Sequence, residues 1–330
     1  MLRTEINYIS NIFISSVKSF LYFVKNIFLN LYKKKFLKSK SESLYKIGDT
    51  QYMQCNIKYC FSPPRERVNS YLKKYKISSN YFSVCEKSFL LGNFLYGFDS
   101  NLTPLIESFP HKYFFKKKDI KNFKLTYEKN NIISIDLIIC PLFFNYKNYF
   151  HWFLDNLPKV FAAEYYEKLS DEKVYFLVPE DLSDWGQSSL KLMNITNERI
   201  IKINSRNTIL CRKLISRRGH RCQKKVGPYY DAISPIDVKK LSIRLKKHDF
   251  IKNKIDTPKK IFLSRNDAKT RRVINQNSIE KYLKNLGFQI INLEGIDLEK
   301  QIILFNNASH IISPHGAGLT NLIFCKQNTH

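Results

Sequence analysis

From residue 259 to residue 325 the apolar pattern keeps switching between the two-residue period of a strand and the longer period of a helix. That alternation restricts the fold more than any other feature of the chain. Residues 259–263 read as a strand running into Ser264 and Arg265. A helix is expected over about 277–286, a strand over 288–293 after Gly287, a helix over 297–308 and a strand over 310–313. Short connections between alternating strands and helices imply a parallel sheet, and such sheets gather ligands at the carboxyl ends of their strands. Arg265, Arg271, Arg272, Glu294, His315 and Gly316 all fall at or just beyond such ends.

The last of these strands is stopped by Pro314. Gly316 and Gly318 form a turn in which backbone amides could approach a ligand, and Leu319, Leu322 and Ile323 begin a helix pattern. A helix start behind a glycine turn attracts phosphate, because its first amides lack intrahelical partners and the dipole is positive there. An ordinary strand-to-helix turn has the same outline, and any single arginine nearby is compatible with a solvated loop. Three arginines on the same sheet edge as the glycine turn fit a diphosphate better.

A second block of alternation precedes this one. A strand is expected from Ile132 through Cys140, a helical region over about 149–169 that Pro158 kinks or restarts, a strand over 174–178, a helix over 185–193, and strands over 199–203 and 209–215. Ser234 and Pro235 then supply a helix start, an N-cap with an early proline, near which a second domain should begin. His151 and Asp155 are four residues apart and would share a helix face. His151 beside Trp152 and Phe153 fits a buried, satisfied histidine as well as a catalytic one. From 44 to about 131 the pattern gives only mixed short strands and loops.

Before that, residues 11–33 are amphipathic. Projected at about 100° per residue, Asn11, Ser15, Lys18, Lys25 and Lys33 share one face, and Phe13, Val17, Phe20, Val24 and Leu31 the other. Lys18 and Lys25 interrupt what would otherwise be a spanning run, and no small-residue cleavage site follows. With the basic run over 33–40, the segment suits the surface of an anionic membrane; a helix packed on its own domain is the other reading.

A chain of 330 residues has room for two domains, and 44% hydrophobic content argues against disorder. Its 55 basic and 28 acidic residues give a net charge of +27, which implies an acidic partner: nucleic acid, anionic lipid or a phosphorylated substrate. A nucleic-acid-binding protein is permitted by charge, but no RNP-like strand, helix-turn-helix spacing or arginine-rich tail supports it. The seven cysteines show no C-x-x-C spacing, and Cys140 and Cys325 sit in apolar runs, so they read as reduced thiols of a cytosolic protein. No close Cys or His pair suggests zinc, and no Asp-x-Asp pair is present.

Several segments, in order along the chain, resemble glycosyltransferase family 61. They are residues 148–159 with His151 and Asp155, Ser264–Arg265, residues 271–275 with Arg271 and Arg272, Leu293–Glu294 with Gln301, and residues 314–321 with His315, Gly316, Gly318, Thr320 and Asn321. The resemblance covers roughly 135 to 330. It implies an α/β, GT-B-like fold, two Rossmann-like domains facing a cleft, here preceded by an N-terminal amphipathic helix. The expected organisation is 1–43 as membrane-surface helix and basic linker, 44–234 as the acceptor-side domain, and 235–330 as the nucleotide-sugar-binding domain. The activity implied is inverting transfer of a sugar from a nucleotide-linked donor, expected to be UDP-linked, to a polysaccharide or glycan acceptor, with no cofactor and no metal.

On this reading His151 or Asp155 is the base, the choice being open. Ser264, Arg265, Arg271, Arg272, Glu294, His315, Gly316, Gly318, Thr320 and Asn321 hold the donor. Gln276 stands where an acidic residue commonly follows the asparagine. The chain closes at His330, sooner than the family usually does, so the second domain is expected to be incomplete at its end, and a non-catalytic remnant is an alternative. The expected location is the cytoplasmic face of the cell membrane, as a peripheral protein working on cell-surface polysaccharide such as a capsule.

Overall fold

A computed structural model describes residues 43–48, 51–54, 74–77, 80–108, 131–204, 206–217, 234–252, 255–266 and 273–330. The expected amphipathic helix, the basic run over 33–40, Arg271 and Arg272 lie outside them.

The aromatic, lysine-rich stretch before residue 131 forms strands β1 (Ser43–Gly48), β2 (Gln51–Gln54), β3 (Lys74–Ile77), β4 (Asn80–Leu91) and β5 (Tyr96–Phe98). The apolar run that follows is β6 (Ile132–Pro141), whose last residues, from Ile138, are buried as a central parallel strand requires. Then come β7 (Val174–Pro179), β8 (Ile200–Ile203) and β9 (Thr208–Arg217). The sheet order is β1-β4-β9-β6-β7-β8, with β5 on β4. Strands β9, β6, β7 and β8 run parallel to one another, whereas β4 runs antiparallel to β9, β1 and β5. Only the first of these groups has the parallel arrangement of a Rossmann-like unit. The antiparallel strands extend the same sheet.

Helices α1 (Tyr149–His151), α2 (Lys159–Ser170) and α3 (Asp184–Leu192) belong to this part, and α4 (Pro235–Leu245) begins the next. The expected helix over 149–169 is broken, with a π turn over Trp152–Asn156 between α1 and α2. Proline at 158 has no N–H for the ladder, which explains why regular helix resumes only beyond it. Ser234 caps α4 as expected, its Oγ accepting from the Asp237 N–H at 3.3 Å. Arg217, at the end of β9, donates to Asp237 Oδ2 at 2.6 Å and also to the Pro158 carbonyl, so one buried guanidinium ties the sheet, the helix restart and α4 together.

The alternation after residue 259 yields β10 (Lys260–Leu263), α5 (Gln276–Asn285), β11 (Gln289–Ile291), α6 (Leu298–Asn307) and β12 (His310–Ile312). These strands form a separate parallel sheet of order β11-β10-β12. The chain therefore leaves β10 to one side for β11 and returns to the other side for β12, and the two crossover helices lie on opposite faces. Helix α6 is buried along nearly its whole length, while α5 leaves Tyr282 in solvent. The residues after the glycine turn form a 3-10 helix, Ala317–Phe324, where an α-helix was expected. Three residues per turn bring Gly318, Asn321 and Phe324 into line, and Asn321 and Phe324 are fully buried. Beyond it, His330 lies along β12, donating to the Ser309 carbonyl at 2.9 Å and accepting from the Ile311 N–H at 2.7 Å.

One buried cluster runs through both sheets, joining Trp152, Phe153 and Val178 to Leu241, Ile261, Phe305 and Phe324. Burying each large apolar side chain is worth about 1.5–3 kcal/mol, so the two sheets are held against each other by a common core.

Candidate active site

His151 owes its position to the broken helix. Asn148 Oδ1 accepts from the N–H groups of Phe150 at 3.0 Å and His151 at 3.4 Å, capping α1. In the π turn the Leu157 N–H reaches back to the Trp152 carbonyl at 3.0 Å. A π turn widens the helix by one residue and is common where a side chain must be re-aimed at a site. His151 Nδ1 is 2.6 Å from Asp155 Oδ2, with 24% of the histidine side chain exposed and 4% of the aspartate's. The four-residue spacing thus yields an imidazole whose inner nitrogen is held by a buried carboxylate. When Nδ1–H donates to Asp155, Nε2 carries the lone pair.

Two residues that the sequence reading left without a role support this pair. Asn156 is fully buried, and its amide closes the loop after β6 onto the π turn. Its Oδ1 accepts from the Phe144 N–H at 3.1 Å, and its Nδ2 donates to the Phe144 carbonyl at 2.7 Å and the His151 carbonyl at 3.3 Å. Lys159 Nζ donates to the Pro141 carbonyl at 2.9 Å and to Asn156 Oδ1 at 3.3 Å. Desolvation lowers the Lys159 pKa below its ordinary value, against the raising influence of Cys140 and Asp155. Both residues lie in the 148–159 segment that carries the family resemblance, where they stand out only as polar positions in an otherwise apolar run.

The other candidate residues that are described lie at or beyond the carboxyl edge of the second sheet. In the order β11-β10-β12 the strand sequence reverses between β10 and β12, and ligands of open α/β sheets bind in the crevice at such a point. Arg265 leaves the end of β10 and crosses to the turn after β12. A Cβ built on Gly316 would collide with its guanidinium, so the glycine makes room for the arginine. Gly318 does the same for Leu293, whose Cδ1 would lie 2.8 Å from an added Cβ. Both glycines thus permit close packing by side chains of neighbouring loops, besides any approach of a ligand. No side chain caps the 3-10 helix that Gly316 leads into, and the buried Thr320 Oγ1 has no hydrogen-bond partner among the described residues.

Ser264 is engaged locally. Its hydroxyl donates to Glu280 Oε1 at 2.9 Å and accepts from Gln276 Nε2 at 2.7 Å and the Asn266 N–H at 3.2 Å. The buried Gln276 also donates to Glu280 Oε1 at 2.7 Å, so its neutral amide joins the strand end to α5 where the family commonly has an acid. Glu294 and His315 are exposed on the loops after β11 and β12. Among the described residues no group of three or more His, Cys, Asp or Glu is arranged to hold a metal ion.

Asn321 connects the two halves. Its Oδ1 accepts from Tyr149 OH at 2.7 Å, and its Nδ2 donates to Gln301 Oε1 at 3.0 Å. Gln301 in turn donates to the Ile296 carbonyl at 2.7 Å. The side chain expected at the nucleotide is therefore fully buried and spent on this relay, while Thr320 beside it keeps its hydroxyl unengaged. Tyr149 stands two residues before His151, so the relay fixes the turn bearing the histidine against the helix that follows the glycines. Burial pushes the Tyr149 phenol well above its ordinary pKa, which keeps it a donor.

A family model described as Glycosyltransferase 61 matches residues 149–330, more than half of the chain. No curated protein matches it.

Proposed function

The chain belongs to glycosyltransferase family 61, and on that footing we propose that it transfers a sugar from a nucleotide-sugar donor to a glycan or polysaccharide acceptor with inversion at the anomeric carbon. The observation that carries this reading is the Tyr149–Asn321 hydrogen bond, which joins the His151–Asp155 pair to the crevice bordered by Arg265 and Gly316. A base and an anion site on adjoining turns are what a single displacement at the anomeric carbon needs.

In this mechanism His151 Nε2 takes the proton of the acceptor hydroxyl as its oxygen attacks the anomeric carbon. The bond from that carbon to the donor phosphate breaks, and the nucleoside diphosphate leaves with the electron pair. Asp155 holds the imidazole in the required tautomer and stabilises the imidazolium that forms. The arrangement favours His151 over Asp155 as the base, because the carboxylate is buried behind the ring. Arg265, joined by Arg271 and Arg272 from the sequence pattern, neutralises the leaving diphosphate together with the amides after Gly316. That makes the proposed reaction metal-independent. Glu294 and His315 lie on the same edge and suit contacts to the nucleoside of a UDP-linked donor.

The two sheets meeting at this point suit a GT-B-like cleft, with the acceptor on the side of the first sheet. The net charge of +27 and the amphipathic, lysine-flanked sequence before residue 40 support a site on the anionic cytoplasmic face of a membrane, in assembly of a surface polysaccharide. Among the described residues no helix is long and apolar enough to cross a membrane. Calorimetric titration with a panel of nucleotide sugars tests the donor assignment. One of them should bind, and Arg265→Ala should weaken it by about tenfold, as loss of a charge-assisted contact implies. Equal affinity for the variant would sink the assignment.

A further inference from the structure

Beside His151 runs a row of aromatic rings that the chemistry above leaves without a role. Its centroid separations are 5.9 Å from Tyr96 to Phe94, 5.5 Å from Phe94 to Phe144, 5.2 Å from Phe144 to His151 and 5.2 Å from His151 to Phe150, and each successive pair meets edge to face. Phe144 is nearly buried and locked through its backbone by Asn156, whereas Tyr96, Phe94 and Phe150 are half-buried. The row therefore has a fixed base and an accessible rim. Phe94 is also held firmly. It lies in the four-residue connection between β4 and β5, where the Leu95 N–H bonds the Gly92 carbonyl at 2.9 Å. Gly92 and Leu95 both have positive φ, +76° and +48°. A leucine in that region is disfavoured by about 1–2 kcal/mol, which is offset here by the near-complete burial of its side chain.

We propose that the Phe94 ring, flanked by Tyr96 and Phe150, is the platform on which one sugar unit of the acceptor stacks as the terminal hydroxyl reaches His151. This rests on the glycosyltransferase reading of His151. The chemistry favours acceptor over donor. A diphosphate requires the cation and amides of the Arg265–Gly316 crevice, while an uncharged ring row matches the apolar C–H face of a neutral pyranose and leaves its hydroxyls at the wet rim. The Phe94 ring packs on Phe144, which packs on His151, so a sugar seated on Phe94 is held near the base, as an acceptor site requires.

The test uses the full chain with β-1,4-linked hexasaccharides of glucose, N-acetylglucosamine and xylose as probes, followed by saturation-transfer NMR, and UDP binding measured calorimetrically in parallel. At least one hexasaccharide should bind the unsubstituted protein. Phe94→Ala should weaken it by about five- to tenfold, the loss of one stacking contact, with UDP affinity unchanged, and Phe94→Trp should restore it. Undiminished hexasaccharide binding by Phe94→Ala, no binding of any probe to the unsubstituted protein, or a fall in UDP affinity in step with the hexasaccharide would each overturn the platform. Hexasaccharide binding that depends on Phe94 in a protein that fails to bind UDP would instead support the platform and count against the donor reading.

Discussion

Tyr149→Phe removes one oxygen and isolates the bond between the two halves of the candidate site. The phenylalanine ring would keep the contacts of the tyrosine, 4.5 Å from the Phe153 centroid and 5.1 Å from Trp185, so no cavity opens. What is lost is the 2.7 Å bond to Asn321 Oδ1 in a residue with no exposed surface. A buried acceptor left without its donor costs about 1–3 kcal/mol. The expected fall in Tm is roughly 2–6 °C, allowing for the shallow dependence of Tm on free energy in large domains. Asn321→Ala should cost more, because it also strips Gln301 of its partner. The double variant should then be less destabilised than the sum of the singles, with a coupling of about 1 kcal/mol or more. Differential scanning calorimetry of the four proteins provides the measurement. A Tm for Tyr149→Phe indistinguishable from that of the parent, together with additive singles, would refute the claim that this bond joins the two halves.

Two further outcomes follow from the geometry. Gly316 is in extended backbone at φ −178°, which alanine adopts freely, so Gly316→Ala should leave stability nearly intact while displacing Arg265 and lowering UDP-sugar affinity about tenfold. Arg265→Ala in the same background should then add little, and full additivity in calorimetry would count against the contact. Lys213 beside the Glu172 carboxylate, then the hydroxyl of Tyr166, holds its pKa at about 2, below its ordinary 4.5. Its stabilisation is therefore present above pH 4.5 and lost as pH falls toward 2. Because the carboxylate is partly exposed, it is worth about 1 kcal/mol after screening. The Tm difference between Glu172→Gln and the parent should be largest near neutrality and shrink with acid; a constant difference would contradict it.

The second sheet was legible because its periods are clean and its boundaries chemically marked. Asp297, where that helix was expected to begin, caps α6 with its side chain, accepting from the Lys300 N–H at 2.8 Å. The mixed first sheet was not legible, since pairing direction leaves no mark on apolar period, and β4 is buried on both faces along much of its length. At the site, the His151–Asp155 spacing forecast a shared face, and their side chains meet. Arg265 fell where a strand end would put it. Hidden from sequence were partners remote along the chain. Tyr149 and Asn321 are 172 residues apart, and neither the pairing of Arg265 with Gly316 nor the seat of Phe94 follows from any local pattern. The glycines were read as openings for a ligand, while their immediate neighbours are Arg265 and Leu293.

In the proposed mechanism His151 removes the acceptor proton and Asp155 orients it, at a donor site that neither residue builds. Single-turnover transfer from a bound UDP-sugar, measured for the parent, His151→Ala and Asp155→Asn alongside donor affinity, tests it most directly. Both variants should bind donor as the parent does and lose transfer by about 10²–10⁴-fold. Transfer retained by His151→Ala, or donor affinity lost together with it, would contradict the assignment.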